Sequence, residues 1–216
     1  MSSEMYEQLA QAVIEGEAED AKMLAEQALD QNLDPLTCIN EGLTKGIEEV
    51  GGLFASGEYY LPDLILGAEA MKTALSILEP AMVGGQEREV VGKVVMGTVE
   101  GDMHEIGKTL VSTMLTANGF KVYDIGVDQS AEKFIDAIKE YDAEIVGASA
   151  LLTTTMLQQR KLIEAIDEAG LREQVKILVG GAPVTDSYAT EIGADGYAED
   201  AISAVDLAFR LIDAPA

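Results

Sequence analysis

The sequence predicts an α/β protein in two parts: an N-terminal four-helix bundle that forms a cap, then a parallel five-stranded sheet covered by helices on both faces. Three observations carry that prediction. Apolar residues recur at steps of three and four through four stretches in the first 80 residues, with short connections between them. From Val90 the pattern changes to short β-branched runs alternating with helical stretches, which is how βαβ units read. Between the two, residues 83–89 combine Gly84-Gly85 with the charged run Gln86-Glu87-Arg88-Glu89 and read as a linker. The expected boundaries are therefore 1–82 for the helical cap domain, 83–89 for the linker and 90–216 for the α/β domain.

In the cap, residues 4–31 read as two short helices separated by Gly16. Leu9, Ala12 and Val13 mark the first apolar face; Ala21, Leu24, Ala25 and Ala28 mark the second. Asp34-Pro35 opens a third helix, with Asp34 as its N-cap and Pro35 at its first position. Leu36, Ile39, Leu43, Ile47, Val50 and Phe54 form its stripe, while Gly51-Gly52 and Ser56-Gly57 weaken its end. A fourth helix opens at Leu61-Pro62, carries a seam of Leu64, Ala68, Met71, Leu75 and Leu78, and stops at Glu79-Pro80.

In the second part, strands are expected at 93–99, 121–125, 145–150, 176–179 and briefly near Gly196-Tyr197. Helices are expected at 106–118, 131–140, 154–169, 185–192 and 200–212. Ser130 reads as an N-cap, and Asn118-Gly119, Gly170 and Gly193 read as helix C-termini.

Composition narrows the function. With 216 residues, 48% of them apolar, the chain can build a real core. No apolar run reaches the roughly 18 residues that a membrane span needs. The start Met1-Ser2-Ser3-Glu4 lacks a signal-peptide pattern, and the lone Cys38 excludes an internal disulfide, so a cytoplasmic location is expected. A net charge of −25, from 14 basic and 39 acidic residues, would repel a phosphate backbone. Neither nucleic acid nor a membrane is an expected partner. The charge serves solubility, or docking to less acidic proteins.

The chemistry concentrates in residues 94–119. Val94 to Val99 reads as a buried strand, and Gly101-Asp102-Met103-His104-Glu105-Ile106-Gly107-Lys108 as a tight polar loop. After it Ile106, Leu110, Val111, Met114 and Leu115 recur at helical spacing. His104, the sole histidine, thus stands where a strand turns into a helix, the end at which open parallel sheets bind ligands. Imidazole is a good transition-metal ligand. Asp102 can accept the proton of the other ring nitrogen and so fix the tautomer. One histidine without cysteines cannot build a tetrahedral zinc site. A single axial ligand suits a metal whose other positions a macrocycle fills, and Gly101 and Gly107 leave room for something flat and bulky. An isolated D-x-H is also compatible with an ordinary loop histidine.

The wider pattern resembles a known family. Residues 101–108 carry the D-x-H-x-x-G motif of cobalamin-binding domains, and Ser149-Ala150-Leu151 and Gly180-Gly181 stand where that family has its S-x-L and GG motifs. Over nearly its entire length the chain is similar to the corrinoid proteins of anaerobic methyltransferase systems, which serve methylamine, methanol, betaine and methoxyaromatic methyltransferases. It is also similar to the cobalamin module of methionine synthase.

The resemblance implies a flavodoxin-like (Rossmann-like) strand order, 2-1-3-4-5, in which the loops after the first, third and fourth strands converge on one crevice. It implies cobalamin or a related corrinoid as cofactor, with His104 as the cobalt ligand. Gly101, Asp102, Ile106, Gly107, Ser149, Leu151, Thr153, Thr155, Gly180 and Gly181 would surround it. Ser149 and Thr153 would touch the nucleotide tail, whose base the histidine displaces. Thr155 would extend the hydrogen-bond chain from His104 through Asp102, and Gly180-Gly181 would let the backbone approach the tail. Tyr197 is expected near the buried base. Asp102 takes the catalytic role, holding the imidazole, and any proton it gains, when cobalt is reduced. The segment 52–62 resembles one in which an aromatic at the position of Tyr60 covers the upper corrin face.

The implied function is a methyl carrier. It would accept a methyl group on Co(I) from a substrate-specific methyltransferase and present methyl-Co(III) to a second methyltransferase with a thiol or pterin acceptor. A reductive activation protein is a further implied partner. The alternative is the cobalamin subunit of a carbon-skeleton mutase, which shares D-x-H-x-x-G and a GG motif but lacks the four-helix segment.

Overall fold

The computed structural model describes residues 2–82 and 90–213, so the expected linker at 83–89 lies outside the described residues. The chain divides into two units, Met1–Glu89 with Ala117–Gly119, and Val90–Thr116 with Phe120–Ala216. No helix of the described residues is long and apolar enough to cross a membrane.

The first unit is helical: α1 (Ser2–Ile14), α2 (Ala18–Asp30), α3 (Pro35–Cys38), a π-helical stretch (Ile39–Thr44), α4 (Lys45–Ser56) and α5 (Leu61–Leu78). Asp34 does cap α3, accepting Thr37 N at 2.9 Å and Thr37 Oγ1 at 2.7 Å. What reads as one long third helix is broken by the π-helical stretch, where the chain presses against α1. A Cβ at Gly42 would stand 2.9 Å from Leu9 Cβ, and one at Gly46 only 2.6 Å from Ala10 O. The seam of α5 also differs from the expected one. It is Leu64, Gly67, Met71, Ala74 and Leu78 that are buried, whereas Ala68 and Leu75 are only partly covered. Small residues are buried on both α2 (Ala21, Ala25, Ala28) and α5 (Gly67, Ala70, Ala74), and a Cβ at Gly67 would stand 3.0 Å from Val13 O of α1 and 3.2 Å from Val50 of α4. Leu64, Met71 and Leu78 are shared with the expected seam; a hydropathy pattern passes over glycine, so Gly67 is absent from it. Burial, helped by the Asp34 charge, pushes the Cys38 thiol up to about 11, so it acts as a packed apolar group.

The second unit is an all-parallel sheet of order β2-β1-β3-β4-β5. Its strands are β1 (Lys93–Thr98), β2 (Lys121–Asp124), β3 (Ile145–Ser149), β4 (Lys176–Gly180) and β5 (Gly196–Ala198). Its helices are α6 (Ile106–Ala117), α7 (Ala131–Tyr141), α8 (Met156–Glu168), α9 (Asp186–Ile192) and α10 (Ala201–Asp213). Each lies within two residues of its expected bounds. Ser130 caps α7, and Gly119, Gly170 and Gly193 take left-handed conformations at helix ends.

Alternation along the strands sorts side chains onto two faces. Val95, Val146, Ala148, Ile177 and Val179 pack with Phe134, Leu162 and Ile166 under α7, α8 and α9. Met96, Ser149, Leu178 and Ala198 turn to the opposite face, beside α6 and α10. Because β1 and β3 are neighbours whose helices leave to opposite faces, their C-terminal loops part and open a crevice.

Candidate functional site

His104 lies in the loop between β1 and α6, its side chain 51% exposed beside a fully buried Asp102. Asp102 is met by donors from two loops. Its Oδ1 accepts His104 Nδ1 at 2.7 Å and His104 N at 3.1 Å. Its Oδ2 accepts Leu151 N at 2.7 Å and Thr155 Oγ1 at 2.6 Å. Burial alone would raise this carboxyl, but those hydrogen bonds outweigh it and hold the group well below the usual carboxylate range. Asp102 is therefore a fixed anion. In the neutral ring this arrangement selects the tautomer with its proton on Nδ1 and its lone pair on Nε2, which has no partner among the described residues. Thr155, at the start of α8, spends its hydroxyl on Asp102 rather than on capping the helix.

A cavity of about 710 Å³ runs from His104 across the sheet face between α6 and α10. Met96, Leu110 and Val111 line one side; Leu178, Ala198 and Ala204 line the other. Ile106, Gly107, Ser149, Leu151, Gly180 and Gly181 all border it. At its mouth stand the exposed apolar side chains Met103 and Ile106, at 69% and 77% exposure.

Comparison with known proteins agrees with this geometry. A family described as "B12 binding domain" matches residues 92–206, and a second of the same description matches residues 5–79. A corrinoid protein of Desulfitobacterium hafniense (strain Y51) is 48% identical over 98% of this chain and 99% of its own length. This chain belongs to the B12-binding corrinoid proteins. Dimethylamine corrinoid protein 1 of Methanosarcina mazei is 44% identical over 97% of this corrinoid protein and 96% of its own length. Among solved structures, a chain of the methanol:cobalamin methyltransferase complex MtaBC from Methanosarcina barkeri superposes with a TM-score of 0.88 at 29% identity. The match covers 98% of this protein and 81% of that chain.

The cofactor is cobalamin or a related corrinoid, and the residues present fit it. No group of three or more His, Cys, Asp or Glu that could hold a bare metal ion occurs among the described residues. The one unprotonated imidazole nitrogen is suited to a metal that arrives with its ring ligands in place. The apolar mouth offers a surface for a flat macrocycle, and the slot beside it offers room for an extended substituent.

Thr153 and Tyr60 are both exposed, and Tyr197 departs from its expected place. Thr153 sits on the exposed turn before α8, two residues after Leu151, which lines the cavity. Tyr60 belongs to the helical unit, at the head of α5, and is 70% exposed. Tyr197 packs against the cluster under α7–α9, so it points away from the slot; its neighbour Ala198 lines the slot instead. The cause is the period-two alternation of β5.

The glycines also carry a different burden. Gly101 has φ +80° in a tight turn, and a Cβ there would meet only Thr155 Cγ2 at 3.7 Å, so the turn rather than space requires glycine. Gly181 has φ +125°, and a Cβ would fall 1.8 Å from Ala150 O, so the protein's own backbone already excludes a side chain. Only Gly107 opens freely toward the cavity. Gly181→Ala should consequently destabilise even the cofactor-free protein, by about 3 kcal/mol or more. Chemical denaturation of the cofactor-free variant measures this; an unchanged midpoint would return the glycine to a cofactor-clearance role.

Sequence reasoning missed three supports. Thr98 Oγ1 donates to His104 O at 2.9 Å, from a fully buried position at the end of β1. Buried Gln159 on α8 donates through Nε2 to Ala148 O at 2.8 Å and Gly180 O at 3.1 Å, tying β3 to β4 where their loops begin. Lys108 is buried and ion-paired with Asp124, anchoring the first turn of α6 to the end of β2. A polar residue at an inward position of an otherwise apolar helix face was the available signal for Gln159.

Proposed function

We propose that this corrinoid protein carries a methyl group between a substrate-specific methyltransferase and a second methyltransferase whose acceptor is a thiol or a pterin, with a reductive activation protein restoring the cofactor. The observation that carries the reading is the His104–Asp102–Thr155 chain, with its free Nε2 at the mouth of an apolar slot. The methyl class is supported by the relatives, named for dimethylamine and for a methanol:cobalamin methyltransferase complex. Nothing favours the carbon-skeleton mutase alternative, and the helical segment it lacks is here a unit that a B12-binding family matches.

When bound, the corrinoid supplies a cobalt centre able to take up and give off a methyl group. The protein's own residues supply the rest. His104 Nε2 would hold the cobalt, and Asp102, facing Nδ1, would keep the ring in position. Whether or not a cofactor is bound, the carboxylate would hold the imidazole in the loop through Nδ1. Ser149, Gly180 and Gly181 bound the slot that would take the nucleotide tail, Ile106, Gly107 and Leu151 would border the ring, and Thr153 remains assigned to the tail by resemblance alone. Tyr60 is assigned the cofactor's upper side, a role to which its exposed ring is suited.

The test is methyl uptake by the reconstituted, reduced holoprotein. With a methylamine- or methanol-class methyltransferase and isotopically labelled donor, label should appear on the protein-bound corrinoid and pass to a thiol or pterin with the second enzyme. Tyr60→Ala should lose that label to light several-fold faster while still binding corrinoid. Failure to take label from any such donor, together with preferential binding of adenosylcobalamin, would favour the mutase reading.

A further inference from the structure

The loop after β2 runs on beside the exit of β1 and is tied to it. Thr98 N donates to Gly126 O at 3.0 Å, Gln129 N donates to Thr98 O at 2.9 Å, and Val99 and Gln129 form a lone parallel bridge. Within this seam Asp128 makes a two-bond clamp. Its Oδ1 accepts Gly101 N at 2.6 Å, and its own N donates to Asp102 O at 2.9 Å. The two bonds bracket the residues that lead into and out of the Asp102 turn. Asp128 itself has φ +55°, a left-handed conformation that aspartate and asparagine tolerate better than most residues.

The clamp answers a need that the turn cannot meet alone. Gly101, at φ +80°, has little conformational preference of its own. Yet Asp102, the next residue, must present its carboxylate to four donors from two loops, inside a site with no exposure to water. A small rotation at Gly101 would swing that carboxylate out of register. Something outside the turn has to set it, and a carboxylate accepting a backbone N–H is among the stronger ways to do so.

We propose that Asp128 is a positioning residue for the cobalt ligand: by fixing the backbone at Gly101 it aims Asp102, and through Asp102 it orients His104. The proposal rests on His104 being the axial ligand. Two variants separate side chain from backbone. Asp128→Asn keeps an acceptor oxygen and the left-handed conformation. Asp128→Gly keeps the conformation and the N–H but removes the acceptor. Each is reconstituted with cobalamin, and the Co(II) form is examined by electron paramagnetic resonance alongside cofactor release. The Gly variant should show weakened or heterogeneous splitting from the axial nitrogen and release corrinoid about 10-fold faster, at the low end for loss of an outer partner of a metal ligand. The Asn variant should match the parent protein on both. A Gly variant with parental splitting and release, or an Asn variant as impaired as the Gly variant, overturns the proposal. So does a lowered melting temperature in the Gly variant with unchanged splitting, since that is a purely structural role. If the parent protein itself shows no histidine splitting, the ligand assignment fails first and visibly so.

Discussion

His104→Ala should abolish the nitrogen splitting in the Co(II) spectrum and weaken corrinoid retention by at least about 100-fold, the upper end for losing even an outer-shell partner. The cavity remains in this variant, so residual binding through the slot is expected. The fold should barely notice. The ring is half exposed, and Asp102 keeps three of its donors: Leu151 N, Thr155 Oγ1 and His104 N, the last a backbone group that alanine also supplies. The melting temperature of the cofactor-free protein should stay within a few degrees of the parent. Loss of the cofactor with intact melting identifies a ligand. A histidine signal that survives the substitution cannot come from this chain's sole histidine and would refute the assignment.

Asp102 should behave in the opposite way. Asp102→Ala strands the buried Thr155 Oγ1 and the part-buried Leu151 N and His104 N, and frees the half-exposed imidazole. An unmet buried donor costs about 1–3 kcal/mol. Allowing for relaxation and partial solvation, the variant should lose roughly 3–5 kcal/mol, or on the order of 10 °C in melting temperature for a chain of this size. Asp102→Asn leaves one oxygen to accept and turns its NH2 toward donors, so it should lose some stability, though less than Asp102→Ala. It keeps the shape and one acceptor oxygen, so it should retain the cofactor, yet its amide cannot remain an anion facing Nδ1. Reduction of the Co(II) form should shift, and methyl transfer should slow by about 10–100-fold. Stopped-flow transfer and a redox titration of the Asn variant decide the matter; parental values in both would remove Asp102 from the mechanism while leaving it in the fold.

Much of this molecule is legible in local patterns. Most strands of the α/β unit are announced by a short β-branched run, because helices cover both faces of the sheet, and its helices by a period of three to four, because each buries one face. His104 at a strand-to-helix junction, the D-x-H-x-x-G motif and the two later motifs are local as well, so the cofactor class could be read from residues 101–181 without coordinates.

What the sequence by itself did not determine are the features that depend on distant residues meeting. Asp102 finds Leu151 and Thr155 49 and 53 positions away only because β1 and β3 lie side by side. The α5 seam runs through Gly67 because the neighbouring helices come close there, a Cβ at that position standing 3.0 Å from Val13 O and 3.2 Å from Val50. Gly181 is glycine because Ala150 O stands where its Cβ would be, and Tyr197 faces away from the slot because β5 pairs with β4 in one register and not the next. Asp128 looks like an ordinary loop acid until the chain lays it across the Gly101 turn. Periodicity records which face of an element is buried. It does not record what lies against that face, and only the tertiary structure supplies the neighbour that turns a loop aspartate into a clamp.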